Sequence, residues 1–280
     1  MGPDMANTET RVEAHYTQGD MAARILALLR ELGADLDALT LDDLAPFDEM
    51  HVRGHEATVS LVERAGFTRD MRILDVGCGL GGPTRYLAAI TGCRVTGIDL
   101  THEFVRSAAI LAQKVGLSGQ ISYRHASALE LPFEDATFDG AWSQHVQMNI
   151  ADKPRLYGEI ARVVKPGGRF AAYDVLAGPA GPPHYPCPWA SDTATSFLIA
   201  PESWRALLET SGFVVEQWHD MTETALAWFA RMSEQAKANP AALNLRERIH
   251  GPELRERVDN LRRSLADGRA VLIETVCRRG

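Results

Sequence analysis

The chain has 280 residues, of which 45% are hydrophobic and 24% are charged. These fractions are average for soluble globular proteins, which excludes a disordered chain, a collagen and a bare coiled coil. Asp and Glu number 37 against 29 Lys and Arg, and the formal net charge of −8 provides no bulk positive field for nucleic acid. No apolar stretch approaches the roughly 18 residues that a membrane helix needs. We therefore expect a cytoplasmic protein without a nucleic-acid or membrane partner.

The cysteines and histidines show no pattern typical of a metal site. Cys78, Cys93, Cys187 and Cys277 are scattered without a C-x-x-C pair, and the histidines do not stand at zinc-ligand spacings. We predict no metal, and we expect the cysteines to be small buried side chains.

The helical and strand-like patterns follow one another in a simple order. Before residue 67 apolar positions recur at helical spacing, and Asp20 or Thr17 could cap a helix at Met21–Leu32. The predicted strands are Arg72–Val76, Arg94–Ile98, Ile121–His125, Gly140–Ser143, Arg169–Val175, Val214–His219 and Ala270–Cys277. The predicted helices between them are Pro83–Ile90, Glu103–Val115, Pro154–Val164 and Glu202–Ser211. This alternation predicts an α/β fold with a doubly wound, mostly parallel sheet.

Two stretches interrupt this alternation. Gly178–Pro188 is too rich in Pro and Gly for a helix or a strand interior, so we predict an ordered loop or lid. Thr222–Ala236 and Glu247–Leu265 are helical patterns between the last two strands. The charges of residues 246–263 alternate in sign, which is typical of a solvated helix face.

A glycine-rich turn joins the first predicted strand to a helix. Gly77, Gly79 and Gly82 satisfy G-x-G-x-x-G, which by itself is a weak signal for NAD or FAD and also occurs in plain strand-to-helix turns. Glycine lets a ligand approach the backbone, and the helix after it offers unpaired N–H groups. The turn is therefore the first candidate ligand site.

Two carboxylates bear on the choice of ligand. Asp75 stands two residues before the first glycine, where a dinucleotide-binding fold usually has an apolar strand residue. A carboxylate there suits a cationic ligand group and would repel a pyrophosphate. Asp99 ends the second strand about 20 residues further on, the usual place for an acid that binds ribose hydroxyls.

With these residues the sequence resembles the class I S-adenosylmethionine-dependent methyltransferases. The first motif of that family is acidic-x-G-x-G-x-G, and its residues here are Asp75, Gly77, Gly79 and Gly81. Two further motifs match at residues 125–128, beside adenine in the family, and at residues 165–168, a turn before the fifth strand. Ser127 stands where the family usually has Asp. The resemblance covers about residues 70–220 and the last strand.

This resemblance implies a Rossmann-like methyltransferase fold with seven strands, the last of them antiparallel, and S-adenosylmethionine as cofactor. It implies a helical cap segment at residues 1–66, a cofactor-binding domain at 67–220 and 269–280, and a helical insertion at 221–268 over the acceptor pocket. The implied cofactor-binding residues are His51, Val52, Asp75, Gly77, Gly79, Asp99, Leu100, Ser127, Ala128 and Gln144.

A narrower resemblance concerns the segments that would contact the acceptor. Residues 48–58 look like the helix before the first strand in sarcosine/dimethylglycine and phosphoethanolamine N-methyltransferases. After the fourth strand those relatives have a polar residue that contacts the cofactor, then a carboxylate that receives the substrate amine, and a histidine four residues later. The corresponding residues here are Gln144, His145 and Asn149, so the carboxylate is replaced by an imidazole.

His145 is therefore the predicted catalytic residue. A neutral imidazole can accept a proton from a hydroxyl or a protonated nitrogen near pH 7, because its unperturbed pKa is about 6.5. Alternatively, His145 only orients the acceptor or is a hydrogen-bonded structural residue. We assign Tyr16, Asn149, Tyr185 and Trp189 to the acceptor site, with Trp228 and Phe229 as further apolar walls.

The sequence thus predicts methyl transfer from S-adenosylmethionine to an O or N atom of a small organic metabolite, by a monomer or a homodimer. One alternative is a sarcosine/dimethylglycine-type amine N-methyltransferase, which the change at His145 disfavours. The others are an NAD-linked oxidoreductase, which Asp75 disfavours, and a non-catalytic cofactor-binding protein.

Overall fold

The computed structural model describes residues 3–17, 19–238 and 240–280, with side chains from residue 8 onward except those of 239–244. Within these ranges the α-helices are α1 (Pro3–Tyr16), α2 (Met21–Glu31), α3 (Leu41–Asp48), α4 (His55–Ala65), α5 (Gly82–Thr91), α6 (His102–Lys114), α7 (Lys153–Val163), α8 (Pro201–Thr210), α9 (Thr222–Ala238), α10 (Pro240–His250) and α11 (Leu254–Ala266). The helices that the sequence predicts are present, except that Glu247–Leu265 is divided between α10 and α11. Asp20 caps α2 by accepting a hydrogen bond from Ala23 N.

The strands form one sheet at the centre of the fold. They are β1 (Arg72–Val76), β2 (Arg94–Asp99), β3 (Ile121–His125), β4 (Phe138–Gln144), β5 (Val164–Ala177), β6 (Phe213–Asp220) and β7 (Ala270–Arg279). Their order is β3-β2-β1-β4-β5-β7-β6, and β7 runs antiparallel to both of its neighbours, whereas the other pairs are parallel. The predicted doubly wound, mostly parallel sheet with an antiparallel last strand is confirmed.

Two predicted segments differ from the structure. The pattern at Glu247–Leu265 predicts one helix, but the chain leaves helical conformation between α10 and α11, where Gly251 has φ +93 and precedes Pro252. Proline disfavours helical conformation in the residue before it, and the left-handed glycine ends α10. The predicted turn at residues 165–168 lies within β5, as a shift of register against β4 between the Val164 and Arg169 pairings.

The two faces of the sheet bury separate apolar clusters. Because alternate residues of a strand point to opposite faces, Ile73 and Trp142 lie in one cluster, with side chains of α4, α5, α9 and α11. Leu74 and Ala141 lie in the other, with α7 and α8. A third cluster joins α2 and α3 to Leu80 in the glycine turn, so the first helices are packed directly on the predicted ligand site.

The helices α2 and α3, which precede the first strand, also contact α10, which lies between the last two strands. Arg24 donates to the carbonyl of Arg248 at 2.8 Å, and His250 Nε2 donates to the carbonyl of Phe47 at 2.9 Å. These bonds join α2 and α3 to α10 and form a roof over the carboxyl ends of the parallel strands. In the part of the chain that the structure describes, no helix is long and apolar enough to cross a membrane.

Candidate functional site

A cavity of about 640 Å³ lies under this roof, at the carboxyl ends of β1, β2 and β4. Among the predicted site residues, those that line it are Tyr16, His51, Val52, Asp75, Gly77, Gly79, Asp99, Leu100, Ser127, Ala128, Gln144, His145, Asn149 and Trp189. Tyr185 is absent from this lining and packs, partly buried, against the core. The structure therefore brings the cofactor motifs and most of the predicted acceptor residues to one space.

The glycine turn is shaped by close packing as well as by its hydrogen bonds. Gly77 N and Cys78 N each donate to the carbonyl of Ile98 at 2.9 Å, which holds the turn against the end of β2. Gly77 has φ +74, and a Cβ atom there would lie 2.4 Å from Val146 Cγ2. Only glycine has both the conformation and the space that this position requires. The backbone is thereby exposed to the cavity.

Asp99 is fixed beside the turn by two backbone donors. Its Oδ2 accepts from Gly79 N at 2.9 Å and its Oδ1 from Thr101 N at 2.8 Å. Burial raises the pKa of Asp99, and these two bonds oppose that effect. Each carboxylate oxygen accepts more than one hydrogen bond, so a ribose hydroxyl can still be bound at this position.

Asp75 is a buried carboxyl group at the centre of the site. Its exposed fraction is 2%, and its Oδ2 accepts a hydrogen bond from Thr84 Oγ1 at 2.5 Å. Burial raises the pKa of Asp75 to about 7, and the bond from Thr84 opposes the shift. A cationic ligand group in the cavity would stabilise the ionised form, whereas a pyrophosphate would be repelled.

We divide the cavity into a half beside the glycine turn and a half beside Asn149 and Trp189. His145 lies between these two halves in a left-handed backbone conformation, with φ +54. Its ring is tilted by 35° on Tyr173 with centroids 5.1 Å apart, and it meets His51 edge-on at 5.8 Å. Its Nε2 is buried and has no hydrogen-bond partner among the described residues. Burial lowers the pKa of His145 well below its ordinary value, and His51 adds to the effect. The imidazole is therefore neutral at pH 7.

A buried polar network supports this part of the site. Thr58 Oγ1 donates to Glu49 Oε2 at 2.7 Å, His51 Nε2 donates to the carbonyl of Gly54 at 2.9 Å, and Gln144 Nε2 lies 3.3 Å from His51 Nε2. Burial opposes ionisation of Glu49, but the bond from His55, the nearby His51 and the bond from Thr58 together outweigh it and lower the pKa of Glu49. Sequence reasoning missed Glu49, since nothing in its spacing relates it to Gln144.

The other half of the cavity combines a polar edge with apolar walls. Tyr16 OH donates to Asn149 Oδ1 at 3.0 Å, and Asn149 Nδ2 donates to the carbonyl of Trp189 at 3.0 Å. These bonds use part of the hydrogen-bonding capacity of the predicted acceptor residues. Further apolar lining comes from α9 and α11, through Trp228, Phe229, Val258 and Leu261. This half suits an acceptor with apolar surface.

Several cavity residues were not predicted. Glu9, Arg24 and His250 reach the cavity from the first helices and from α10. Arg246 and Arg257 also line it, although the sign alternation of their segment predicts a solvated face. The alternation describes most of the segment, but it cannot show that individual arginines on its inner side face a cavity.

The comparisons with known proteins bear directly on this site. Residues 74–172 match a sequence family described as a methyltransferase domain, and this range includes the glycine turn, Asp99 and His145. The chain contains a class I S-adenosylmethionine-dependent methyltransferase domain. The predicted family is thus confirmed, and S-adenosylmethionine is the cofactor of this family.

Curated relatives match this methyltransferase domain over part of their length. A sterol 24-C-methyltransferase of Eremothecium gossypii is 41% identical over 114 residues, which cover 41% of this chain and 31% of that protein. Methyltransferase GfsG of Streptomyces halstedii is 32% identical over 179 residues, which cover 63% of this chain and 64% of that protein. The chain spans about a third of the length of the first curated relatives that it matches.

Solved structures share the fold over most of the chain. A geranyl diphosphate C-methyltransferase from Streptomyces coelicolor A3(2) has a TM-score of 0.71 at 17% identity and covers 98% of both chains. A sarcosine dimethylglycine methyltransferase from Galdieria sulphuraria has a TM-score of 0.63 at 19% identity, covering 80% of this chain and 83% of that one. The [4+2]-cyclase SpnF has a TM-score of 0.64 at 25% identity and covers 80% of each chain. The methyltransferase fold therefore includes a protein named for another reaction.

Replacement of Asp75 by Asn tests two effects of this carboxylate, its cost to the stability of the ligand-free protein and its contribution to cofactor binding. In the folded protein the pKa of Asp75 is about 7 against an ordinary value of 3.8, so the folded state binds more protons than the unfolded state between these pH values. Stability falls as pH rises through this window, and the penalty persists above it. We expect Asp75→Asn to stabilise the ligand-free methyltransferase by on the order of 2 kcal/mol at pH 8 and by much less at pH 4.5.

Thermal melts at the two pH values, with S-adenosylhomocysteine titrations at pH 8, measure both effects. The amide oxygen of Asn can still accept the bond from Thr84, so the packing around residue 75 is preserved. The same substitution should weaken binding of S-adenosylhomocysteine. An equal change in melting temperature at both pH values would contradict the assigned pKa.

Proposed function

We propose that the whole protein transfers a methyl group from S-adenosylmethionine to an O or N atom of a small organic metabolite. The observation that supports this most strongly concerns His145, which lines the cavity and whose Nε2 is buried and unpartnered among the described residues. A buried polar atom without a partner costs free energy. A hydrogen bond donated by the O–H or N–H group of the methyl acceptor would give this atom a partner.

The residues around the cofactor half fit this cofactor. Asp75 is a carboxylate for a cationic group, Asp99 accepts from ribose hydroxyls, and the glycine turn lets the ligand lie against the backbone. We propose that His51, Val52, Leu100, Ser127, Ala128 and Gln144 complete this binding site. The bound cofactor supplies an electrophilic methyl group, and the protein contributes alignment and exclusion of water.

At the acceptor half, the neutral imidazole of His145 holds the acceptor in line and accepts its proton as the new bond forms. With an acceptor that loses its proton readily, the imidazole acts only by orientation. We propose that Tyr16, Asn149 and Trp189 position the acceptor. Tyr185 stays a prediction without support from the cavity geometry. An ammonium substrate is disfavoured, because His145 brings no negative charge to this place.

The class of acceptor, the absence of a nucleic-acid partner, the cellular location and the oligomeric state are also part of the proposal. A small-molecule acceptor fits the substrates for which related methyltransferases are named. The net charge of −8 favours a protein that works without nucleic acid. We also propose that it works in the cytoplasm, as a monomer or a homodimer. Light scattering at increasing protein concentration tests the oligomeric part, and a stable assembly larger than a dimer would contradict it.

Methyl transfer is tested with S-adenosylmethionine that carries a deuterated methyl group. Phenols, N-heterocycles and glycine derivatives serve as three panels of acceptors, and mass spectrometry detects the label. We expect labelled phenols or N-heterocycles. Label confined to the glycine derivatives would support the amine N-methyltransferase instead. Tight cofactor binding with no labelled product in any panel would favour a non-catalytic or non-methylating role.

A further inference from the structure

The nucleoside end of the cavity contains a carboxylate that the sequence motif lacks. Ser127 stands where related sequences usually have Asp, and its hydroxyl donates a hydrogen bond to Glu9 Oε1 of α1. The two residues are 118 positions apart. Both line the cavity, and Glu9 is half-buried. Helix α1 thus brings an acid to the place where the motif has none.

The position of this pair is fixed by the sheet. Asp99 at the end of β2 is paired in register with His125 at the end of β3, and Ala126 N donates to the carbonyl of Asp99 at 3.1 Å. Ser127 is the next residue after Ala126, so it lies just beyond Asp99, the acid that is placed for the ribose. A nucleoside bound through its ribose at Asp99 therefore directs its base toward Ser127 and Glu9.

The hydrogen bonds of Ser127 leave Glu9 as the stronger acceptor. The hydroxyl donates its proton to Glu9 and accepts from Leu129 N at 3.1 Å. The Glu9 carboxylate has two oxygens and about four acceptor sites, of which the bond from Ser127 uses one. Bonds to a charged acceptor are stronger than bonds to a neutral one.

We propose that Glu9 recognises the base of the cofactor by accepting a hydrogen bond from the exocyclic amino group of adenine. This inference rests on the proposed function, because it requires S-adenosylmethionine in the cavity. Helix α1 is also tied to the acceptor half by the bond from Tyr16 to Asn149 at 3.0 Å and by His15 Nε2 at 3.1 Å from the carbonyl of Pro188. Glu9 is therefore held in place from both ends of the cavity.

Calorimetric titration with two ligands tests the assignment. S-adenosylhomocysteine carries the amino group, whereas S-inosylhomocysteine has a carbonyl oxygen in its place. The variants are Glu9→Ala and a matched control, Glu13→Ala, one turn further along α1 and outside the cavity lining. Alanine is the best helix former, so α1 is retained in both variants.

We expect the wild type to prefer S-adenosylhomocysteine by at least about tenfold, as for loss of a bond to a charged group. Glu9→Ala should weaken S-adenosylhomocysteine about tenfold and S-inosylhomocysteine less than about threefold, while Glu13→Ala changes neither. Equal weakening of the binding of both ligands would overturn the proposal, since Glu9 would then act only by holding α1 in place over the cavity. Unchanged discrimination in Glu9→Ala would overturn it too. If the wild type binds S-adenosylhomocysteine in either of these two outcomes, only the role of Glu9 is overturned and the proposed function stands.

Discussion

Replacement of Gly77 by alanine is expected to weaken S-adenosylhomocysteine binding by roughly 10²-fold, since strain of this kind costs about 1–3 kcal/mol and the displaced turn adds to it. The alanine must adopt φ +74 and its Cβ atom must lie 2.4 Å from Val146 Cγ2. Val146 cannot simply move away, because its N and that of Gln147 donate to the buried Asp174 at 3.3 and 3.2 Å. The turn therefore shifts instead, and its backbone leaves the position that contacts the cofactor.

Two further variants separate the clash from backbone strain. Gly116→Ala imposes a left-handed alanine with φ +72 where no heavy atom lies within 4 Å of the new Cβ, and we expect it to leave binding unchanged. Adding Val146→Ala to Gly77→Ala removes the closest contacts and should restore part of the lost affinity. Binding by Gly77→Ala that equals the wild type would show that the turn does not contact the ligand.

The second large effect is expected at His145. The variant His145→Asn should lower turnover by roughly 10²–10⁴-fold, as for loss of an acid–base group, and should leave the affinity for S-adenosylhomocysteine nearly unchanged. Asn is suited to the test because it tolerates the left-handed backbone at φ +54. Single-turnover assays with an acceptor found in the labelling experiment measure the chemical step.

The pH dependence of the wild type provides an independent check. Burial lowers the pKa of His145 well below 6.5, so the imidazole is already deprotonated in weakly acidic solution. We expect kcat/KM to show no fall attributable to His145 between pH 8 and pH 6.5. The pair of half-buried His184 with exposed Asp267, outside the cavity lining, offers a control, since His184→Asn should leave turnover unchanged. Unchanged turnover in His145→Asn would contradict both the base and the orienting role.

The parallel sheet and the cofactor half of the site could be predicted because their determinants are local. Apolar runs separated by helical patterns fix the strands, and the carboxyl ends of parallel strands meet at one edge of the sheet. Asp75, Asp99 and His145 each lie at or within one residue of the end of such a strand, so they come together in the structure as the sequence predicts.

The roof of the cavity could not be predicted in the same way. Glu9 meets Ser127 across 118 residues, and no periodicity in α1 indicates where that helix packs. The arginines of α10 and α11 occur in a charge pattern that also fits solvent exposure. Nor does a histidine at a strand end indicate the left-handed backbone conformation that His145 adopts, with φ +54.

The most direct test of the central claim is calorimetric titration of the wild-type protein with S-adenosylhomocysteine, with NAD as the matched control. The account predicts micromolar binding of S-adenosylhomocysteine, equivalent to about −8 kcal/mol, and no heat from NAD. Binding of NAD in its place would contradict the assignment of Asp75 to a cationic ligand group and would revive the oxidoreductase alternative. Binding of neither ligand would contradict the cofactor site itself.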